Sequence, residues 1–447
     1  MARVSKAKSR SGSARSAAAH PHLTLARVSV SQRGLQFGLG IALLGSALLL
    51  DPRAEAAFDA AKRACAIVGV IVAALALLCD KSRADRNRWS RPAQVAVCCA
   101  ALAVVWTLAA SILSPHQALA WDSLRRATLF ALFIPIGASR TFAACGTRPA
   151  LGLFVIGASV NVVISLAQAG GWQLPFDVAQ IGGRFATGAL LGNEGYVALA
   201  AATLAAICAA IATGAFGLRY RLGAVGVAAA AVAAIAINHQ ATSAIALCAG
   251  LVAIAAMRWR LRWLGVIFLA IVVGAATTAL LPVLRNLTWA ELGGIDAYQR
   301  LTTYRLGAWV AALHMIATRP LEGYGLGSFA MEQQTHRLAA EISLQQRFVQ
   351  PTGSSFIYAH NDYLQLAAEA GIPALLFVLI AIAAILFGLV RIGRALADVE
   401  RLVLLAMLTC AAVAALAWFP LQIPFISIAL LLTLGRAWRV VADEGAP

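Results

Sequence analysis

Charge is scarce in this chain. Asp, Glu, Lys and Arg make up 12% of its 447 residues, acids are outnumbered 19 to 36, and histidine occurs only 7 times. Set against 61% hydrophobic residues and a mean hydropathy of +0.80, so little charge fits no soluble class and leaves an all-α polytopic membrane protein. Cysteine is missing where a scaffold would need it. All eight (Cys65, Cys79, Cys98, Cys99, Cys145, Cys208, Cys248 and Cys410) fall in or beside apolar runs. A disulfide framework or cysteine metal cluster is therefore excluded from the one long polar interval, between Pro282 and Gly371.

What is present is a succession of apolar runs. A bilayer core about 30 Å thick takes roughly 20 apolar residues per helix, and the chain offers about twelve such spans on that rule. They centre near Ala42, Val70, Val104, Leu132, Ala158, Thr203, Ala230, Leu247, Ala270, Ile380, Ala411 and Leu430. The stretch around Ala200 to Ala212 is Ala-rich, which suits packing against other helices rather than against lipid. The organisation expected is a tail over 1–34, nine spans over 35–282, a partly helical loop over 283–371, and three further spans with the C-terminus over 372–447.

The net charge of +17 suggests nucleic acid at first sight. With both termini on one face, however, that face carries about twice as many Lys and Arg as the other, as the positive-inside rule requires of a cytoplasmic side. Both termini are expected in the cytoplasm and the long loop outside, with no polyanionic partner. Ionisable and helix-breaking residues hardly occur inside the spans, which disfavours a transporter.

Chemistry-bearing residues collect on the outer face. Arg125 and Arg126 end an apolar helix, where such residues commonly snorkel. Arg184 lies in the Gly-rich stretch Ile181 to Gly188, and reads either as a solvated loop residue or as a fork for a phosphate. A helical stripe runs from Tyr298 to Thr318 and ends at Pro320. Arg305 falls on it, four residues from both Leu301 and Trp309, so its charge is expected on the buried side, meeting a loop acid such as Glu322 or a phosphate. Gly323, Gly325 and Gly327 mark a permissive turn, and the polar segment Glu332 to Gln350 reads as a lid over the site. His360 opens a short helix with its imidazole on the face of Leu364, Ala367 and Ala368, opposite Asp362, Gln365 and Glu369. It is either a core histidine or, with an ordinary pKa near 6.5, a proton acceptor. His314 and His336 are expected to be structural or surface residues.

In order, these residues give Arg305-x-x-x-Trp309, then Arg319-Pro320-Leu321-x-Gly323-x-Gly325-x-Gly327-Ser328-Phe329. His360-Asn361-x-Tyr363-Leu364-Gln365 follows, closing on Gly371-Ile372-Pro373. The pattern resembles the O-antigen ligase and polymerase superfamily of bacterial inner-membrane proteins. The resemblance implies a lipid-linked glycosyltransferase type of fold with a periplasmic loop between the ninth and tenth spans. It implies an undecaprenyl-pyrophosphate-linked glycan as donor, lipid A-core as the acceptor of a ligase, and inverting transfer without metal or cofactor. His360 corresponds to the family's loop histidine, Arg305 to its loop arginine and Arg184 to the arginine of the preceding outer loop. The Asn-Pro-Asn often found after the last of these is here Gly192-Asn193-Glu194. Tyr304, Trp309, Asn361 and Tyr363, beside the central pair, and Arg125 and Arg126 are the expected substrate-binding residues. A polymerase or a protein-glycosylating relative would use the same motifs with another acceptor.

Overall fold

The computed structural model describes residues 29–53, 57–79, 89–175, 186–258, 299, 302, 304–348, 356–391 and 398–443. All regular structure among them is helical. Ser29 opens α1 (Val30–Gly40) with a reciprocal capping box to Gln32, and the chain runs on through a π-helical turn at Ile41–Gly45 into α2 (Ser46–Leu48). Next come α3 (Ala60–Leu78), α4 (Arg91–Ile112), α5 (Gln117–Ala131), α6 (Phe133–Ala138), α7 (Thr147–Ala169), α8 (Glu194–Ala212), α9 (Leu218–Ile237) and α10 (Ala241–Arg258). The long polar interval contributes α11 (Leu306–Thr318) and α12 (Phe329–Leu344). It leads into α13 (Asp362–Arg391), α14 (Asp398–Ala414) and α15 (Pro424–Asp443).

Eight helical segments among the described residues are long and apolar enough to cross a bilayer. They coincide with the runs centred near Val70, Val104, Ala158, Thr203, Ala230, Leu247, Ile380 and Leu430. The Ala42 run is helical but divided by its π turn, and the Leu132 run is divided between α5 and α6. The Ala411 run forms the 17-residue α14, with Glu400 and Arg401 in its first turn. The Ala270 run lies outside the described residues.

Packing follows side-chain size. In α8, 78% of the spanning window is buried, against 22% in α4, so the Ala-rich helix stands inside the bundle as its composition predicts. It packs against α9, α10 and α14, while α4 lies along α13 and α6 along α15. A Cβ on Gly69 would stand 2.6 Å from the backbone nitrogen of Ala42, so the chain from α1 crosses α3 at backbone contact.

Helix α13 is two helices. Gly371 adopts φ +82° and ψ 165°, breaking the helix between a short outer piece and the span that begins at Ile372. The break strands carbonyls at the end of the outer piece. The glycine turn takes them up: Tyr324 N–H donates to the Ala368 carbonyl at 3.1 Å and Gly325 N–H to that of Glu369 at 2.7 Å. Ile372 N–H in turn donates to Pro320 at 2.8 Å. From α4, Trp106 Nε1 donates to Leu321 at 2.9 Å, and Ser114 at its end donates to Tyr324 at 2.6 Å. Gly323 and Gly325 have φ of +63° and +92°, a region open to glycine, so the turn expected from their spacing is the clamp that fixes the loop on the bundle.

Three expectations for the loop change. The helix expected from Tyr298 to Thr318 is interrupted, because Tyr304 takes φ +60° and turns the backbone ahead of α11, which runs from Leu306. Segment 329–344 packs along α11 as a helix instead of lying open as a lid, with Phe329, Gln333, His336 and Ala340 buried. Gln365 and Glu369, expected opposite the buried face, are 6% and 5% exposed.

Orientation is testable by single cysteines in a cysteine-free variant. Ile342→Cys, on an exposed position of α12, should react with a membrane-impermeant thiol reagent from outside sealed cells. Tyr220→Cys, exposed at the start of α9, should not. The reverse pattern would invert the topology.

Candidate functional site

The site is built on the connector between α14 and α15. After Ala414 the chain turns, presents Trp418 and Phe419, passes through a 3₁₀ turn at Pro420–Gln422 and re-enters the bundle at Pro424. Both prolines suit helix starts and cannot continue a preceding helix without loss of a hydrogen bond. Three successive carbonyls are left at the end of α14, and the long loop supplies a donor to each. Asp362 N–H donates to Ala415 at 3.0 Å, Asn361 Nδ2 to Leu416 at 2.8 Å, and an Arg305 Nη to Ala417 at 2.8 Å. Tyr363 adds its hydroxyl to the Ala412 carbonyl at 2.8 Å.

Arg305 caps α11 and is 6% exposed, so the expected burial of its charge holds. Its guanidinium carbon lies 4.3 Å from the Trp418 ring centroid. A desolvated cation over an indole gains about 2 kcal/mol or more, and the carbonyl end of α14 attracts the same charge.

His360 precedes the outer piece of α13, with Asn361 capping it through a 2.9 Å bond from Leu364 N–H. The imidazole stacks on Phe419 at 4.8 Å and on Trp418 at 5.4 Å, with interplanar angles of 20° and 21°, and meets the edge of Phe356 at 5.7 Å. Trp418 thus touches both the arginine and the histidine. His360 has φ +53° and Tyr304 φ +60°, a conformation rare for residues with a Cβ and typical of sites whose surroundings enforce it. Asp362 is turned away, accepting from Leu421 N–H at 3.2 Å, in line with the expectation that it does not orient His360.

Beside this stack lies a cavity of about 600 Å³ between α3, α5, the glycine turn, α13 and the start of α15. Tyr358 joins it to the connector by packing on Phe419 at 5.0 Å. Arg63 on its wall pairs with Asp59 at 2.6 Å. Arg126 also lines it, paired with Asp122 at 2.7 Å.

The structure therefore brings Arg305, His360, Asn361 and Tyr363 onto one connector, with Tyr304 next to Arg305. Asn361 and Tyr363 spend polar atoms on the backbone of that connector and of α14. Trp309, expected at the substrate, is 8% exposed and packs with Leu306, Val310, Ala340 and Phe348 inside the loop. Its Nε1 has no hydrogen-bond partner among the described residues. Arg126 borders the cavity, whereas Arg125 is exposed and does not line it. Arg184 lies outside the described residues. Trp418, Phe419, Arg63 and Asp59 were not anticipated; the one signal for the aromatic pair was Trp-Phe-Pro, with a second proline four residues on, between two apolar runs.

A second polar cluster ties the loop to the bundle. His116 Nε2, just before α5, pairs with Glu332 Oε1 at 2.7 Å, His336 Nε2 lies 3.6 Å from the other oxygen, and His336 Nδ1 meets His314 Nδ1 at 2.8 Å. The Tyr324 ring covers His336 at 4.9 Å. Burial lowers the His336 pKa from its ordinary 6.5 and His314 adds to this, with Glu332 opposing.

The fold and site define a polytopic helical membrane protein whose candidate chemistry gathers where one long loop meets the last interhelical connector. Residues 225–379 match the family model described as O-Antigen ligase, which supports membership of the chain in the O-antigen ligase superfamily. That stretch contains Arg305, His360, Asn361 and Tyr363 and ends before the connector. No curated protein matches the chain.

The His336 environment predicts pH dependence. A group whose folded pKa is depressed leaves the unfolded chain binding more protons, so stability is intact above about 6.5 and declines as pH falls below it. The thermal transition of the purified protein should drop between about pH 7.5 and about pH 5.5, and His336→Gln should flatten part of that slope. Identical slopes would remove His336 from the linkage.

Proposed function

We propose that the protein transfers a glycan from undecaprenyl pyrophosphate to lipid A-core, with inversion, at a site facing the periplasm and with both termini in the cytoplasm. The observation that carries this reading is the joint seating of Arg305 and His360 on Trp418, within the part of the chain that matches the family. One group suits a leaving anion and the other a proton.

In the reaction an acceptor hydroxyl oxygen bonds to C1 of the donor sugar. The bond from C1 to the phosphate oxygen breaks, and its electron pair leaves on undecaprenyl pyrophosphate. Arg305, withdrawn from water, acts on that developing charge through a field that bulk solvent screens weakly. Arg184 is the proposed second cation. His360 takes the hydroxyl proton, a role worth roughly a hundred- to ten-thousandfold in rate. Its ring is held by Phe419 and Trp418, so the base is oriented without a carboxylate from Asp362. Tyr304 fixes the turn that places Arg305, and Asn361 and Tyr363 position His360 through the connector.

The test uses purified protein, an undecaprenyl-pyrophosphate glycan and lipid A-core. The wild type should move intact glycan onto lipid A-core and build no ladder from donor alone; lengthening products from donor alone would favour a polymerase. His360→Ala should lose about a hundredfold or more in turnover while still binding donor. Arg305→Lys should also lose most activity in a folded protein, because a lysine cannot lie flat on Trp418 while donating in the plane to Ala417. Wild-type turnover by either variant would refute the role given to that residue.

A further inference from the structure

The cavity beside the aromatic stack has a chemistry of its own. Its size falls within the ordinary range of small-ligand pockets, about 300–1,000 Å³. Its two arginines are each already paired with a carboxylate, Arg63 with Asp59 and Arg126 with Asp122. Glu369, 5% exposed, lines it too and is held by Gln365 Nε2 at 3.1 Å and Phe329 N–H at 3.3 Å. A pyrophosphate placed here would face carboxylates, with no uncompensated cation among the described residues of the lining to receive it. The remaining polar lining is amide and hydroxyl, from Gln365, Gln422, Ser123 and Ser427, with the Tyr358 ring alongside. Such a mixture of donors and acceptors around an aromatic surface matches a neutral polyol, whose hydroxyls both give and take hydrogen bonds.

The contacts assign the side. Tyr358 packs on Phe419 at 5.0 Å, Phe419 stacks on both His360 and Trp418 at 4.8 Å, and Trp418 lies 4.3 Å from the Arg305 guanidinium. The cavity stands at the Tyr358 end of this stack and the buried cation at the Trp418 end, with the proposed base on the rings that join them. In a single displacement the attacking oxygen and the leaving group lie on opposite sides of C1. We infer that the cavity is a carbohydrate subsite for the acceptor, seating an uncharged sugar residue next to the one that reacts. This rests on the transfer reading above, and it assigns acceptor specificity to Arg63, Tyr358, Gln365, Glu369 and Gln422.

Ala127, exposed on α5 at the cavity wall, allows a filling substitution that spares the site's own polar groups. The probe is core oligosaccharide released from lipid A, titrated into the purified full chain without donor. Wild type should bind it. Ala127→Phe should weaken binding about tenfold or more, and Gln422→Ala by about three- to tenfold, as expected for one lost hydrogen bond. In turnover, both should raise KM for acceptor, leave KM for donor unchanged and keep kcat within about twofold. A rise in donor KM instead, or binding equal to wild type in Ala127→Phe, would overturn the assignment. If wild type binds the oligosaccharide and Ala127→Phe does not, yet no glycan is ever transferred to lipid A-core, the subsite stands and the transfer reading falls.

Discussion

A buried guanidinium needs partners at once, because removing its charge from water costs several kcal/mol that only a close dipole, anion or ring can offset. Arg305 meets that need at the end of α14, where a carbonyl and an indole are presented together. Much else depends on this meeting. The two neighbouring carbonyls take Asp362 and Asn361, so the start of α13 is registered on the connector residue by residue. That registration places His360 on Trp418 and Phe419. Removing the aromatic pair would leave a charge and an imidazole without their shared platform.

The second constraint is the break at Gly371. A continuous helix would keep its carbonyls to itself and give the glycine turn nothing to bind. Any side chain at 371 would meet the Leu321 carbonyl, so turn and break require one another. Through Trp106 and Ser114 the same turn is held by α4, which also lies along the spanning part of α13. The loop is thereby fixed on the last connector through Arg305 and on α4 through the turn, in addition to the His116–Glu332 pair ahead of α5. A site held within a fraction of an ångström needs such supports outside the reacting groups.

Hydropathy made most of the bundle legible, since a long apolar run has few alternatives to a spanning helix. The Ala-rich α8 was legible for the same reason, small residues being useful where helices approach closely. Periodicity failed at Tyr304 because a stripe counted at three- and four-residue spacing cannot register a single positive φ, and the stripe therefore ran through the turn. It failed again at Gln365 and Glu369. Polar residues four apart read as a solvent face, yet these two bond each other and the Ala359 and Phe329 N–H groups, which makes their burial tolerable. Trp418 and Phe419 carry no pattern that points to His360, some 60 positions earlier in the chain, since long-range contacts leave no local trace.

The family match ends at residue 379, and the platform under its histidine and arginine lies beyond it. The matched stretch brings the candidate groups Arg305 and His360, while the connector between α14 and α15 brings the rings against which they are set. Phe419 shows the division most clearly. One ring contacts His360 and also Tyr358, so the cavity wall and the imidazole are joined by an aromatic contact rather than through the backbone of the loop. In the proposed reaction, acceptor recognition and the proton acceptor then sit on one set of close-packed rings, whose interior offers few soft directions. A sugar seated against Tyr358 in that reaction lies one ring away from the base, so selectivity is set by how well the acceptor binds while the ring stack holds the imidazole in place.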